Sequence, residues 1–263
     1  MRLVAGLVLL LLTALPAQAQ WSGTLAPRGG MQDSDATGSG GAGWLDGSLS
    51  FGLAPDFTAK LETAGGSFDS LTTLGGRGQV WWRDPSLGLL GALAEYSDRD
   101  GLSQTRTGVK GEFYLGPFTL RGQGGYVFGD SKGNLQVEDS SYGVLSAGFY
   151  GLPGLGVNGG AAMQNGRSVG FLGGEARIPG LPEFMTATLD GAAGPNGYRQ
   201  LLVGLRFYFG AGAGQSLQDR HVGDTPAFPG FDVGGFARAR PSAAACVPNP
   251  SITSGFNGCT TLP

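Results

Sequence analysis

From Trp44 to Phe209 apolar and polar residues alternate in blocks of about ten. Leu45, Gly47, Leu49, Phe51 and Leu53 interleave with Asp46, Ser48 and Ser50; Phe57, Ala59 and Leu61 interleave with Thr58, Lys60 and Glu62. The same pattern carries Val109, Gly111, Phe113 and Leu115 against Lys110, Glu112 and Tyr114. It returns in Phe118, Leu120 and Gly122 against Thr119, Arg121 and Gln123, and in Leu201, Val203, Leu205, Phe207 and Phe209 against Gln200, Arg206 and Tyr208. A period of two predicts strands with one apolar and one polar face.

The connections alternate in kind. Short ones contain Pro55, Pro85, Pro117, Pro153, and Pro179 with Pro182. Polar stretches near 64–71, 97–105, 129–141, 164–167 and 191–197 read as loops. This spacing suits strands of about ten residues joined in hairpins. Eleven strands fit between Trp44 and Phe209, and a barrel with both ends on the short-turn side needs an even number. A twelfth is expected before Trp44, where Trp21, Gly23 and Leu25 alternate faintly; 32–43 then reads as the first outer loop. Twelve strands are the expectation, with ten as the rival.

Aromatic placement separates a membrane barrel from a secreted sandwich. Phe51, Phe57, Trp82, Phe113, Phe118, Phe149, Phe184, Phe207 and Phe209 fall beside the short turns; Trp44, Tyr96, Tyr126, Phe128, Tyr142 and Tyr198 fall at the opposite strand ends. Two aromatic belts flanking Leu, Val, Ala and Gly are what two bilayer interfaces select. The chain thus resembles a bacterial outer-membrane β-barrel, porin-like, over roughly residues 20–209. The run Leu201-Leu202-Val203-Gly204-Leu205-Arg206-Phe207-Tyr208-Phe209 is similar to that family's final-strand insertion signal. The resemblance implies an all-β, antiparallel up-and-down transmembrane barrel in a Gram-negative outer membrane. Its implied partners are outer-membrane lipid, lipopolysaccharide and, through the final strand, the barrel-assembly machinery.

Composition agrees. Glycine supplies 51 of 263 residues, far above the ordinary share of roughly 7%. Charged residues are only 14%, and 17 Lys+Arg against 20 Asp+Glu give no basic surplus for nucleic acid. Residues 1–19 read as a signal peptide: Arg2, an apolar run from Leu3 to Leu15, then Ala17-Gln18-Ala19. From 210 to 263 the alternation stops and Ala, Gly, Ser and Pro dominate. This segment reads as a periplasmic low-complexity tail: a loose extension, a cell-wall contact or a plug. Gln215 to His221 is its one helical stretch. Cys246 and Cys259, the only cysteines, read as a disulfide in an oxidising compartment.

The candidate chemistry lies on the polar face. Lys60, Arg77, Arg106, Lys110, Arg121, Arg177 and Arg206 face Asp46, Glu62, Glu95, Glu112 and Glu175, an excess of two positive charges. Along a narrow aqueous lumen that excess favours anions; paired, the same groups brace the wall and conduct little. No catalytic residue, cofactor or metal site is expected. The single histidine, His221, lies beyond the last strand, and membrane-barrel enzymes typically use a histidine on the barrel. Gly38-Ser39-Gly40-Gly41-Ala42-Gly43 matches a dinucleotide fingerprint only formally and reads as a flexible loop. Asp98-Arg99-Asp100-Gly101 is a fragment of a calcium loop without its distal Glu and reads as a solvated outer loop. The function expected is passive passage of small polar or anionic solutes, against a non-conducting structural barrel that presents its outer loops to partners.

Overall fold

A computed structural model describes residues 21–35, 38–68, 71–132, 135–211, 213–223 and 238–239. The stretch 1–19 read as a signal peptide, and Cys246 and Cys259 read as a disulfide, lie outside the described residues. The strands are β1 (Trp21–Ser34), β2 (Gly38–Ala54), β3 (Phe57–Phe68), β4 (Leu71–Asp84), β5 (Gly88–Arg99), β6 (Leu102–Leu115) and β7 (Phe118–Gly129). A small hairpin follows, β8 (Ser131–Lys132) and β9 (Leu135–Gln136). Then come β10 (Ser140–Leu152), β11 (Leu155–Gln164), β12 (Arg167–Ala176), β13 (Met185–Ala193) and β14 (Arg199–Gly210). Helix α1 (Leu217–Gly223) and the short β15 (Arg238–Ala239) complete the described chain.

Every long strand pairs antiparallel with its sequence neighbours, and β1 pairs with β14, so the described residues form a closed barrel of twelve strands. Closure satisfies the edge groups that hydrocarbon leaves without partners. The first strand is faint in sequence because Pro27 sits inside it. In the β1–β14 seam, Leu25 is opposite Phe207 and Arg28 opposite Gly204, while Ala26 and Pro27 drop out of the ladder. Proline has no N–H to give there.

The five proline connections are the turns at one end: Pro55-Asp56, Pro85–Leu87, Gly116-Pro117, Pro153-Gly154 and the longer 177–184. The opposite end differs from expectation. The stretch 32–43 is mostly strand, leaving only 35–37 between β1 and β2, and the six-residue Gly/Ser/Ala run Gly38–Gly43 is the start of β2. Likewise 97–105 closes in a two-residue hairpin at Asp100 (φ 51°) and Gly101 (φ 83°), with the Asp98 carboxylate accepting from the Gly101 amide at 2.9 Å. The I′-type turn needs positive φ at both positions, which Asp and Gly tolerate. The reason for the misreading is physical. Strands such as the 17-residue β2 outrun the roughly ten residues that span a bilayer, so both their faces become polar and mimic a loop.

Outward positions carry Leu61, Leu90, Val109, Phe113, Phe118, Leu120, Leu145 and Leu172, all exposed. The nine aromatics beside the proline turns fall on this face or just beyond its strands. At the other end Tyr96, Tyr126 and Phe128 point outward, but Trp44, Tyr142 and Tyr198 do not, which leaves that belt thinner than expected. Trp44 and Tyr142 turn inward because glycines on neighbouring strands make room. A Cβ on Gly66 would fall 2.2 Å from the Trp44 ring, and one on Gly108 would fall 2.7 Å from the Tyr142 hydroxyl. Tyr142 lies in register with Gly125, itself opposite Gly108, so the ring lies flat across two side-chain-free positions. Some of the glycines thus serve aromatic packing against the inner wall. Gly66→Val is expected to expel Trp44 and cost about 1–3 kcal/mol, the usual cost of overpacking. Near-UV circular dichroism and the unfolding midpoint check it.

Candidate functional site

The inner wall is built by the alternate positions of each strand, even-numbered in β2, β3 and β6 and odd-numbered in β4, β5 and β7. The expected polar-face residues all fall on it. Lys60 and Glu62 come from β3, Arg77 from β4, Glu95 from β5, Arg106, Lys110 and Glu112 from β6, and Arg121 from β7. Glu175 from β12 and Arg206 from β14 stand farther around the wall, Asp46 comes from β2 next to β3, and Arg177 follows β12 directly.

These charges fall into two networks. In the first, Arg77 donates to Glu95 through Nε (2.9 Å) and Nη2 (2.5 Å), and to Glu62 through Nη1 (3.2 Å). Glu95 also accepts from Arg106 Nη1 at 3.1 Å, and Arg106 Nη2 reaches Gln164 Oε1 on β11 at 2.9 Å. Glu62 further takes Gln79 Nε2 at 2.5 Å and lies 3.4 Å from Lys60 Nζ. Lys110 donates to Gln79 Oε1 at 3.0 Å; Glu112 lies 3.7 Å from both Lys110 Nζ and Arg121 Nε. The second network joins Glu175 to Arg206 Nη1 (2.5 Å), Thr186 Oγ1 (2.6 Å) and the Tyr208 hydroxyl. Nearby, Arg28 bridges Asp46 and Asp190, the latter at 2.8 Å.

The side chains of Arg77, Glu62 and Glu95 are 3%, 2% and 1% exposed. Charges this deep need close partners, since the desolvation penalty is several kcal/mol per ion. Cations also stack on inward aromatics: Arg83 and Lys110 on Trp81 (5.4 and 4.8 Å), Arg99 on Phe68 (5.3 Å), Arg106 on Tyr142 (5.7 Å) and Arg121 on Tyr150 (6.0 Å). Gly91 lies in register between Trp81 and Lys110, and its missing side chain lets the two meet across β5.

Sequence reading missed Arg28, Arg83, Arg99, Arg167 and Asp190. Arg28 sits in the faint first strand, and the others sit at strand ends adjoining stretches read as turns or loops. A two-residue step along the inward set, from Trp81 to Arg83 or from Ser97 to Arg99, would have found the ends. Among the described residues, adding these four arginines and Asp190 raises the inner-wall excess from two to five positive charges.

Of the tail, residues 211, 213–223 and 238–239 are described. Helix α1 forms where it was expected, and it folds back on the barrel at the proline-turn end. Leu217 and Arg220 are buried. Arg220 stacks on Tyr208 at 3.9 Å and donates to the carbonyls of Glu183 and Ala213, both at 2.8 Å. Arg177 donates to the Gln215 carbonyl. The helix follows β14 yet packs against β10 and β11, several strands around the barrel, so it lies across the mouth. Arg238–Ala239 is elsewhere: β15 pairs with β9 at the opposite end.

No family model matches the chain, and no curated protein matches it. Solved structures do. The KdgM porin in complex with disordered oligogalacturonate aligns over 71% of this chain and 99% of its own, at 9% identity and TM-score 0.54. The KdgM porin alone gives the same coverages and identity at TM-score 0.53. A structure from a study of in-meso crystallization of membrane proteins covers 76% of this chain and 90% of its own, at 16% identity and TM-score 0.51. With the closed twelve-stranded sheet, the apolar outward face and the aromatic belts, these likenesses establish the fold as that of a porin-like outer-membrane β-barrel.

Proposed function

We propose that the protein is a narrow passive channel of the outer membrane for small polar or anionic solutes. The carrying observation is the inner wall, where arginines and lysines outnumber carboxylates by five and stack on inward aromatics from one end to the other. A low-dielectric wall focuses that field along the axis. Guanidinium planes beside aromatic faces suit solutes that carry carboxylates on an otherwise amphipathic body. The oligogalacturonate bound by the KdgM porin is of that chemistry, and acidic sugars are the class to test first. This is a transport reading; nothing in it calls for a reaction.

The ion pairing favours a second reading, a braced barrel that conducts little. Planar-bilayer recording of the reconstituted chain decides between them. The channel reading expects small conductance with an anion-selective reversal potential that weakens as salt rises and screening shortens toward about 3 Å at 1 M. Arg121→Glu is expected to move the reversal potential toward cations, because it removes a cation shared by Glu112 and Tyr150. Absence of conductance in both the full chain and a chain ended at Gly210 would establish the structural reading instead.

A further inference from the structure

The lumen is unevenly filled. Among the described residues of β3–β6, every inward side chain from Lys60 to Glu112 is buried, Gln79, Trp81 and Ser97 included. On β11–β14 the inward Asn158, Phe171, Glu175, Asp190, Ala192 and Gln200 all keep some exposure, and the side chains of Asp190 and Glu175 reach 25% and 13%. Side-chain size explains the difference. Strands β3–β6 send in Arg77, Gln79, Trp81, Glu95 and Lys110, which pack together, whereas β10–β13 oppose them with Gly148, Asn158, Gly160, Gly173 and Ala192.

Two contacts mark the flanks of the filled half. On one side Arg106 reaches Gln164 on β11 at 2.9 Å. On the other the Arg99 guanidinium lies 3.0 Å from the side-chain amide of Gln32 on β1. Strands β12–β14 fall between those flanks. We infer that the open section of the lumen runs off-centre, against β11–β14 from Ala192 to Glu175, and that solutes pass there, between a neutral wall and the cationic half. The passage of solutes rests on the channel reading above.

The chemistry of the two sides differs. Among the described residues, β3–β7 carry seven of the wall cations and three of its carboxylates, so four of the five excess charges lie on that half. The opposite wall is neutral and polar. Asn158, Gly173 and Asp190 form one cross-strand row, and a Cβ on Gly173 would fall 3.0 Å from both Asn158 Nδ2 and Asp190 Oδ1. The glycine therefore lets an amide and a carboxylate lean over one position, and Asp190 sets its charge against Arg28 at 2.8 Å. Phe171 stands in the next row, in register with Gly160 and Ala192. A solute on this path meets an amide and an aromatic ring on one side and guanidiniums on the other. That suits a body with hydroxyls on one face and carboxylates on the other, as an acidic sugar has. At the proline-turn end the path reaches the mouth beside α1, which packs against β10 and β11.

The test uses the full chain in a Cys246→Ser/Cys259→Ser background with one added cysteine at a time. The folded barrel is exposed to the small anionic thiol reagent sulfonatoethyl methanethiosulfonate, and modification is read by intact mass and by conductance in a planar bilayer. Asn158→Cys and Ala192→Cys are expected to be modified readily, with a severalfold fall in conductance. Ala64→Cys and Ser97→Cys, inward but buried on β3 and β5, are expected to resist. Gel mobility of unboiled samples shows which variants assemble, and Ala162→Cys, also inward on β11, replaces either of the first pair if it does not. Equal modification of both pairs, or resistance of Asn158→Cys and Ala192→Cys in assembled barrels, overturns the off-centre path. So does modification of that pair with unchanged conductance. A chain that labels as expected but never conducts overturns the channel reading instead, and the passage of solutes with it.

Discussion

Glu95→Ala is expected to destabilise the barrel by about 3–5 kcal/mol, the range for breaking a buried ion pair by removing one partner. Glu95 is the node of the larger network. It takes two hydrogen bonds from Arg77 and one from Arg106, which in turn ties β6 to Gln164 on β11. Without it Arg77 keeps Glu62 and Arg106 keeps Gln164, but two deeply placed guanidiniums share one carboxylate fewer. The penalty is therefore mostly desolvation left uncompensated rather than lost attraction. That distinction is measurable: adding Arg106→Met to Glu95→Ala should restore part of the lost stability, since it removes one of the stranded cations. Urea unfolding in lipid gives the free energies, and the different gel mobility of unboiled and boiled samples reports the folded fraction. A Glu95→Ala barrel as stable as the parent would mean that water or ions replace the carboxylate freely, and that the wall is far wetter than its burial implies.

The fold was legible because membrane barrels obey a strict two-residue period. Leu61 against Lys60 and Glu62, or Val109 against Lys110, assigns both faces of a strand without knowledge of its neighbours. Pro55, Pro85, Pro117 and Pro153 then mark one end of the barrel, because proline is tolerated in turns and rare in paired ladders, Pro27 in β1 being the exception. Legibility failed wherever composition and pairing part company. Gly38–Gly43 looks like a linker and is strand, since pairing of β2 with β1 and β3 fixes its backbone from both sides. Trp44 and Tyr142 look like belt residues and are interior, since Gly66, Gly108 and Gly125 supply hollows that no single-strand pattern reveals. Of the site, the facing of Arg77, Arg106 and Arg206 could be read, whereas their partners could not. That Arg77 holds both Glu62 and Glu95 depends on the registers of β3, β4 and β5, and Glu62 and Glu95 both fall directly opposite Arg77.

A chain ended at Gly210 is expected to conduct several-fold more than the full chain while assembling equally well. It keeps every strand of the barrel and the β1–β14 seam, whose ladder closes with Ser22 opposite Gly210. It also leaves the run Leu201–Phe209 almost at the terminus. What it loses is α1, whose Leu217 and Arg220 are packed against the mouth, and Arg220 with its hold on Tyr208 and on the carbonyls of Glu183 and Ala213. A mouth crossed by a helix about 10–12 Å wide with its side chains leaves little free section in a twelve-stranded barrel, which is intermediate between filled eight-stranded barrels and open sixteen-stranded porins. Solutes would then meet Arg177 and the inner wall beyond it directly, so the anion preference should persist. Leu217→Asp with Arg220→Ala in the full chain should give part of the same gain, because it removes the apolar contact and the cation stack while leaving the chain length unchanged. Equal conductance in the full and shortened chains, with both barrels folded by gel mobility, would show that α1 does not limit flow and that the constriction belongs to the ion-paired wall around Arg77 and Glu95.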